Sequence, residues 1–225
     1  MPNPFAKLPF LQAIEALAER LAMPKSLFME LDAVNRSRAF TMARISDLNV
    51  LQNIHDELTI AINDGETFAD FKGRLEDVKE RTGWTGTNPW HYRVVYDTNL
   101  GMAYSAGRYQ QGAEAGLRAV RILPSLAEHP REEHRPFANQ LFRYESGAML
   151  PPWDFGCQCG WEWVFPEELE AMGVRAEDLP ALPFTGAGQE FQWRPDSYAE
   201  LSIDPSRYAG ALGAAAGVLR AITGG

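Results

Sequence analysis

Apolar residues in the first third of the chain recur three and four positions apart, the spacing of one buried helix face. Phe10, Ile14, Leu17 and Leu21 predict a first helix, ended by Pro24. Ser26 stands where a cap would, ahead of Leu27, Leu31 and Val34 on one face of a second. Ser46 or Asp47 caps a third, along which Leu51, Ile54, Leu58 and Ile62 form a stripe, and Asp64-Gly65 stops it. Thr67 caps a fourth, with Asp70 as a shorter stand-in for Glu in a capping box. Phe68, Phe71, Leu75 and Val78 line its buried side, and Gly83 closes it. The loop from Thr82 to Pro89 is rich in Gly, Thr, Asn and Pro and marks a soft domain boundary.

Pro89 suits a first helical position. A helix from about Pro89 to Gln111 sets Asp97, Gly101, Tyr104 and Arg108 in one row. Two readings of that row compete. Arg108 could serve a phosphate or a partner's carboxylate. Alternatively, Asp97, Tyr104 and Arg108 form an internal polar network that locks the helix against strands, the reading favoured because buried polar groups usually find partners within the protein. Thr98 and Asn99 are poor mid-helix residues, which points to tertiary hydrogen bonds. Gly101 and Gly107 weaken a helix and make sense where another backbone approaches.

After Gly116 the pattern turns to alternation. Residues 119–123, 141–144 and 161–165 predict strands. Pro166-Glu167-Glu168-Leu169 starts a short helix that Gly173 ends. Residues 181–210 are loop-like, and a last helix rich in Ala and Gly starts near Ser206. The fold class expected is α+β: a mainly helical N-terminal part, then a long central helix packed on a small β-sheet.

Composition narrows the function classes. The 225-residue chain is 45% hydrophobic and 23% charged, so it can bury a sizeable core. A net charge of −9 argues against a general nucleic-acid-binding surface. No signal peptide is evident at the start, and no window is apolar and long enough to span a membrane, so a cytoplasmic origin is expected. The six tryptophans could form a sticky surface but are more often core.

The densest chemistry lies in Pro151-Pro152-Trp153-Asp154-Phe155-Gly156-Cys157-Gln158-Cys159, which holds the only two cysteines. One residue apart, they are poorly placed to form a disulfide with each other. They could supply two thiolates to zinc, with His134 as third ligand and His129, Glu133 or Asp154 as fourth. The bland alternative is a pair of small buried thiols in a tight turn. Cys157 with His134 also fits the inventory of a nucleophile and its base, but Asp154 and Glu162 nearby are expected to raise a thiol pKa. No phosphate-binding loop, dinucleotide fingerprint, H-E-x-x-H or G-x-S-x-G motif occurs.

The order of these segments resembles the phage Mu F-like minor head proteins, also called head morphogenesis proteins. The resemblance runs from Asp64-Gly65-Glu66-Thr67-Phe68-Ala69-Asp70-Phe71 and the Gly83-Trp84 turn through Thr98-Asn99-Leu100 and Ala103-Tyr104-Ser105-Ala106-Gly107-Arg108. It continues with Arg131 to His134, the Pro151-Pro152 to Cys157-Gln158-Cys159 turn and its Gly156, and Phe191-Gln192-Trp193-Arg194-Pro195-Asp196. Gln158 replaces the family's usual Arg between the cysteines, Arg194 and Asp196 replace an Asn and a Gly, and an Asp expected shortly before Arg131 is not evident. The resemblance divides the chain into an N-terminal helical region (1–85), a Mu F-like core (86–165) and a loop-rich extension with a terminal helix (166–225).

It implies a low-copy, portal-associated structural protein of a tailed-phage or prophage head, acting in head assembly or early DNA delivery. The implied partners are the portal or major capsid protein, with no membrane. The implied location is the virion head, and the host cytoplasm during assembly. No cofactor and no catalysis are implied. The alternative is a zinc- or cysteine-dependent enzyme, nuclease or toxin-like, centred on His134, Cys157 and Cys159.

Overall fold

The structure is a computed structural model that describes residues 10–31, 36–183, 191 and 193–196. The predicted terminal helix from Ser206 and most of the 181–210 segment lie outside the described residues. Among the described residues six helices and two small sheets form an α+β fold around one long helix.

The helices are α1 (Leu11–Ala18), α2 (Lys25–Glu30), α3 (Leu48–Asp64), α4 (Phe68–Thr82), α5 (Pro89–Glu114) and α6 (Pro166–Ala171). Their ends follow local chemistry. Asp47 accepts from the N–H groups of Asn49 and Val50, and Gly65 takes the left-handed conformation that terminates α3. Thr67 and Asp70 cap one another in a reciprocal box at the start of α4, and Gly83 closes it. Asn88 caps α5 with Pro89 at its first position.

Two expectations fail in the first thirty residues. Leu21 is not helical. α1 ends at Ala18, and Leu21–Ala22 (β1) pairs in parallel with Ala39–Phe40 (β2). The buried Arg20 turns inward there to donate to Asn99 Oδ1 at 2.8 Å, while the Leu21 N–H reaches the Arg38 carbonyl. Ser26 does not cap α2, which starts at Lys25 behind Pro24 with no side-chain cap.

The second sheet has the order β4-β3-β5, all antiparallel, from β3 (Ala119–Leu123), β4 (Leu141–Arg143) and β5 (Gly160–Val164). Val120 lies between Phe142 and Trp163 across the strands, and Ile122 faces Trp161.

α5 joins two apolar clusters. Tyr92, Leu100 and Ala103 pack with the stripes of α1, α3 and α4. Met102 and Ala106 pack with the sheet and Trp153, Trp161, Trp163 and Trp193. Trp90 is exposed. Glycines set the closest seams. A Cβ on Gly107 would lie 2.6 Å from the Ala13 backbone nitrogen, and one on Gly112 would lie 2.0 Å from the Trp163 indole nitrogen. At Gly101 the neighbour is only the Pro152 side chain, at 3.5 Å.

Candidate functional site

Three segments distant in sequence meet over one end of the sheet. The first is the middle of α5. The second is the β3–β4 connection, which carries Arg131 and His134 and makes a single 3-10 turn at Arg135–Phe137. The third is the turn before β5, with a cis Pro151–Pro152 bond and Gly156 in the left-handed conformation.

α5 holds the turn through the two residues that disfavour a helix. Thr98 Oγ1 accepts from the Gly156 N–H at 2.8 Å. Asn99 donates to the Val95 carbonyl and accepts from Arg20. Asp97 accepts from Gln158 Nε2 at 3.1 Å and from Arg93 at 2.6 Å. The residue between the cysteines is therefore a tether to the central helix, a role visible only in three dimensions.

Asp97, Tyr104 and Arg108 do not form a network. Arg108 donates to the Trp161 carbonyl and lies over that residue's ring at 5.6 Å, so it fastens α5 to β5 without a carboxylate. Burial pulls its pKa down. Tyr104 is part-exposed and stacks on Phe10. Asp97 and Arg108 stand three turns apart on α5, roughly 16 Å along the axis, beyond the reach of an ion pair.

The β3–β4 connection grips the same turn. Arg131 donates to the Phe155 carbonyl at 3.0 Å and pairs with Asp154 at 3.3 Å. Three residues on, His134 Nδ1 lies 3.6 Å from Cys157 Sγ and 3.7 Å from Cys159 Sγ. Trp153 meets the imidazole edge-on, with ring centroids 5.2 Å apart. Among the described residues His134, Cys157 and Cys159 form a metal-capable group whose ligand atoms all lie within 4.8 Å of one another. His129, Glu133 and Asp154 do not join it. The first two are exposed, and Asp154 is committed to Arg131 and the Phe155 N–H.

The two thiols titrate in opposite directions. Hydrogen bonding from Cys159 brings the Cys157 thiol down to about 5 against the penalty of burial, with backbone N–H groups and His134 adding to the effect. Cys159 moves up, because its proton bridges to Cys157 and because it is itself buried. The sequence expectation that Asp154 and Glu162 raise the Cys157 value is overturned. Their charges are taken up by Arg131 and Arg121, and the sulfur's own neighbour dominates. Cys157 is only 6% exposed.

The late segment closes the far side. Trp193 donates to the Pro152 carbonyl at 2.7 Å, and Asp196 accepts from Ser146 and the Gly147 N–H. Ser105 was also missed by sequence reading: it accepts from the Trp161 indole at 2.6 Å.

The resemblance to the Mu F-like proteins is one of sequence, and two curated relatives carry it. The chain is 25% identical over 160 residues to "Putative capsid assembly protein F" of Escherichia phage Mu, covering 62% of this chain and 36% of that protein. It is 26% identical over 159 residues to "Mu-like prophage FluMu F protein" of Haemophilus influenzae, covering 62% and 38%. The chain spans little more than a third of the length of these curated relatives. No family model matches it, and no solved structure matches it.

Proposed function

We propose that this chain is a head-assembly protein of a tailed phage or prophage. The observation that carries this reading is the sequence similarity over 160 residues to a protein named for capsid assembly. The finer parts of the proposal are low copy number, association with the portal, and a part in head assembly or early DNA delivery. The partner is the portal or the major capsid protein, and the protein is found in the virion head after assembly in the host cytoplasm. The acidic balance, −9 over the chain, suits docking on a basic protein surface better than on DNA. Among the described residues no helix is long and apolar enough to cross a membrane.

The role proposed is structural. Burial of Cys157 and His134 supports that over the cysteine-dependent alternative, since a nucleophile must reach its substrate. Quantitative mass spectrometry of purified proheads and virions tests the proposal. The expected result is this chain at a few copies per portal ring. Its absence from particles that yield the portal in full would overturn it. Hydrogen exchange on the full chain with and without the portal then locates the contact, expected on the exposed faces of α3 and α4.

A further inference from the structure

We infer that His134, Cys157 and Cys159 form a zinc site that staples the β3–β4 connection to the turn before β5. A tetrahedral zinc with Zn–S near 2.3 Å and Zn–N near 2.0–2.1 Å sets sulfur and nitrogen about 3.6 Å apart, and two sulfurs about 3.8 Å apart. His134 Nδ1 stands 3.6 and 3.7 Å from the two sulfurs, and all three ligand atoms fall within 4.8 Å of one another. One ring nitrogen is thus equidistant from two thiols. In either tautomer Nδ1 has a single hydrogen or a single lone pair to direct at them, whereas an ion between the three atoms makes near-equal distances a requirement.

Charge agrees with burial. Two thiolates and a neutral imidazole around a divalent cation sum to zero, the only total that a buried site tolerates without a further counter-ion. The ligands are also held from behind. Gln158 and Gly156 are tied to Asp97 and Thr98 on α5, Arg131 holds the turn at Phe155, and the Trp153 ring fixes the plane of the imidazole. Supporting contacts of this kind orient metal ligands. Among the described residues no fourth His, Cys, Asp or Glu joins the group, which leaves one position of the tetrahedron to a donor from outside it.

The site joins residues more than twenty positions apart in two irregular connections. Its role is to close those loops rather than to activate a substrate.

The test is metal analysis of the full chain, purified without added metal or chelator. About one zinc per chain is expected. Replacement by cobalt(II) should give sulfur-to-metal charge transfer in the near ultraviolet and the strong visible bands of a tetrahedral ion. Cys157→Ser, Cys159→Ser and His134→Ala should each lose those bands, while Glu133→Gln and His129→Ala keep them. Chelation of the unaltered protein should lower Tm by about 5 °C or more, restored by added zinc. That measurement decides the matter even if a cysteine variant does not fold. Zinc below about a tenth of stoichiometry after incubation with the metal, or cobalt bands lacking sulfur charge transfer, would overturn the site. Loss of the bands in Glu133→Gln would overturn the three-ligand assignment.

Discussion

Leu58 and Trp161 are buried equally, at 0% and 1% exposure, yet they are held by different means. Leu58 sits on α3 among the apolar stripes of α1, α4 and α5, with no polar atom to satisfy. Trp161 sits on β5 with its indole N–H on Ser105, its carbonyl on Arg108, and its ring under that guanidinium. The helical half is an apolar core whose elements are set by local periodicity and caps. The sheet half is assembled by hydrogen bonds in which a side chain meets a partner, side chain or backbone, fifty or more residues away. A three-stranded sheet of short strands has too little surface to specify its position against a helix, so directional bonds do that instead.

Leu58→Ala is the most severe test of this contrast. It should cost about 2–5 kcal/mol, as cavity-forming changes in cores do. Urea unfolding followed by far-ultraviolet dichroism reports the helices, while tryptophan fluorescence reports mainly the sheet half, where Trp153, Trp161, Trp163 and Trp193 are clustered. Because α5 lines both cores, the two curves should shift together. A fluorescence midpoint that stays in place would show the halves to be independent.

Arg108→Ala comes next. It removes a charged donor from the Trp161 carbonyl and should cost about 1.5–3 kcal/mol by thermal unfolding. A larger loss, in the range of a broken buried ion pair, would mean that a carboxylate answers Arg108 after all.

Two glycines give opposite signs. Gly73 lies in α4 with nothing within 4 Å of its added Cβ, so Gly73→Ala should stabilise by about 0.5–1 kcal/mol through helix propensity. Gly112→Ala makes the same local gain but drives a methyl into the Trp163 indole, and should come out about 1–3 kcal/mol destabilised. Equal signs for the two would refute the close seam between α5 and β5.

Much of the helical half was legible because its determinants are neighbours in sequence. Asp47, the Thr67/Asp70 box and Pro89 each act within three residues of themselves. The three strands of the second sheet are legible from alternation to within a residue or so at each end, whereas the two-residue strands β1 and β2 are too short to show it. Leu21 was misread because helical spacing persists one turn beyond Ala18, while the buried bond from Arg20 to Asn99 breaks the helix from a distance. The Asp97 and Arg108 pairing was misread because a shared face is not a contact. For the candidate site, sequence supplied the residue types, and three dimensions supplied the company: Gln158 with Asp97, Gly156 with Thr98, and the thiols with His134.

The smallest expected effect sharpens the local side of the comparison. Hydrogen bonds from the Thr67 hydroxyl and then its backbone N–H hold the Asp70 carboxyl below its usual range. A depressed folded value means that the box contributes fully above the ordinary carboxyl pKa and loses that contribution as pH falls through the lowered one. The Tm difference between the protein and Asp70→Asn should therefore be greatest near neutrality and shrink toward acid. A difference that grows on acidification would contradict the capping geometry.

The seam between α1 and α5 also sets a schedule for biosynthesis. Ala13 packs on Gly107, and Arg20 finds its acceptor at Asn99. Translation at about 5–20 residues per second separates the appearance of these partners by roughly 5–20 s. For that interval the nascent chain carries an early helix whose docking groove has not been made, and a charged side chain whose buried acceptor does not yet exist. The α1 segment thus leaves the ribosome well before its partners on α5 and settles only after them.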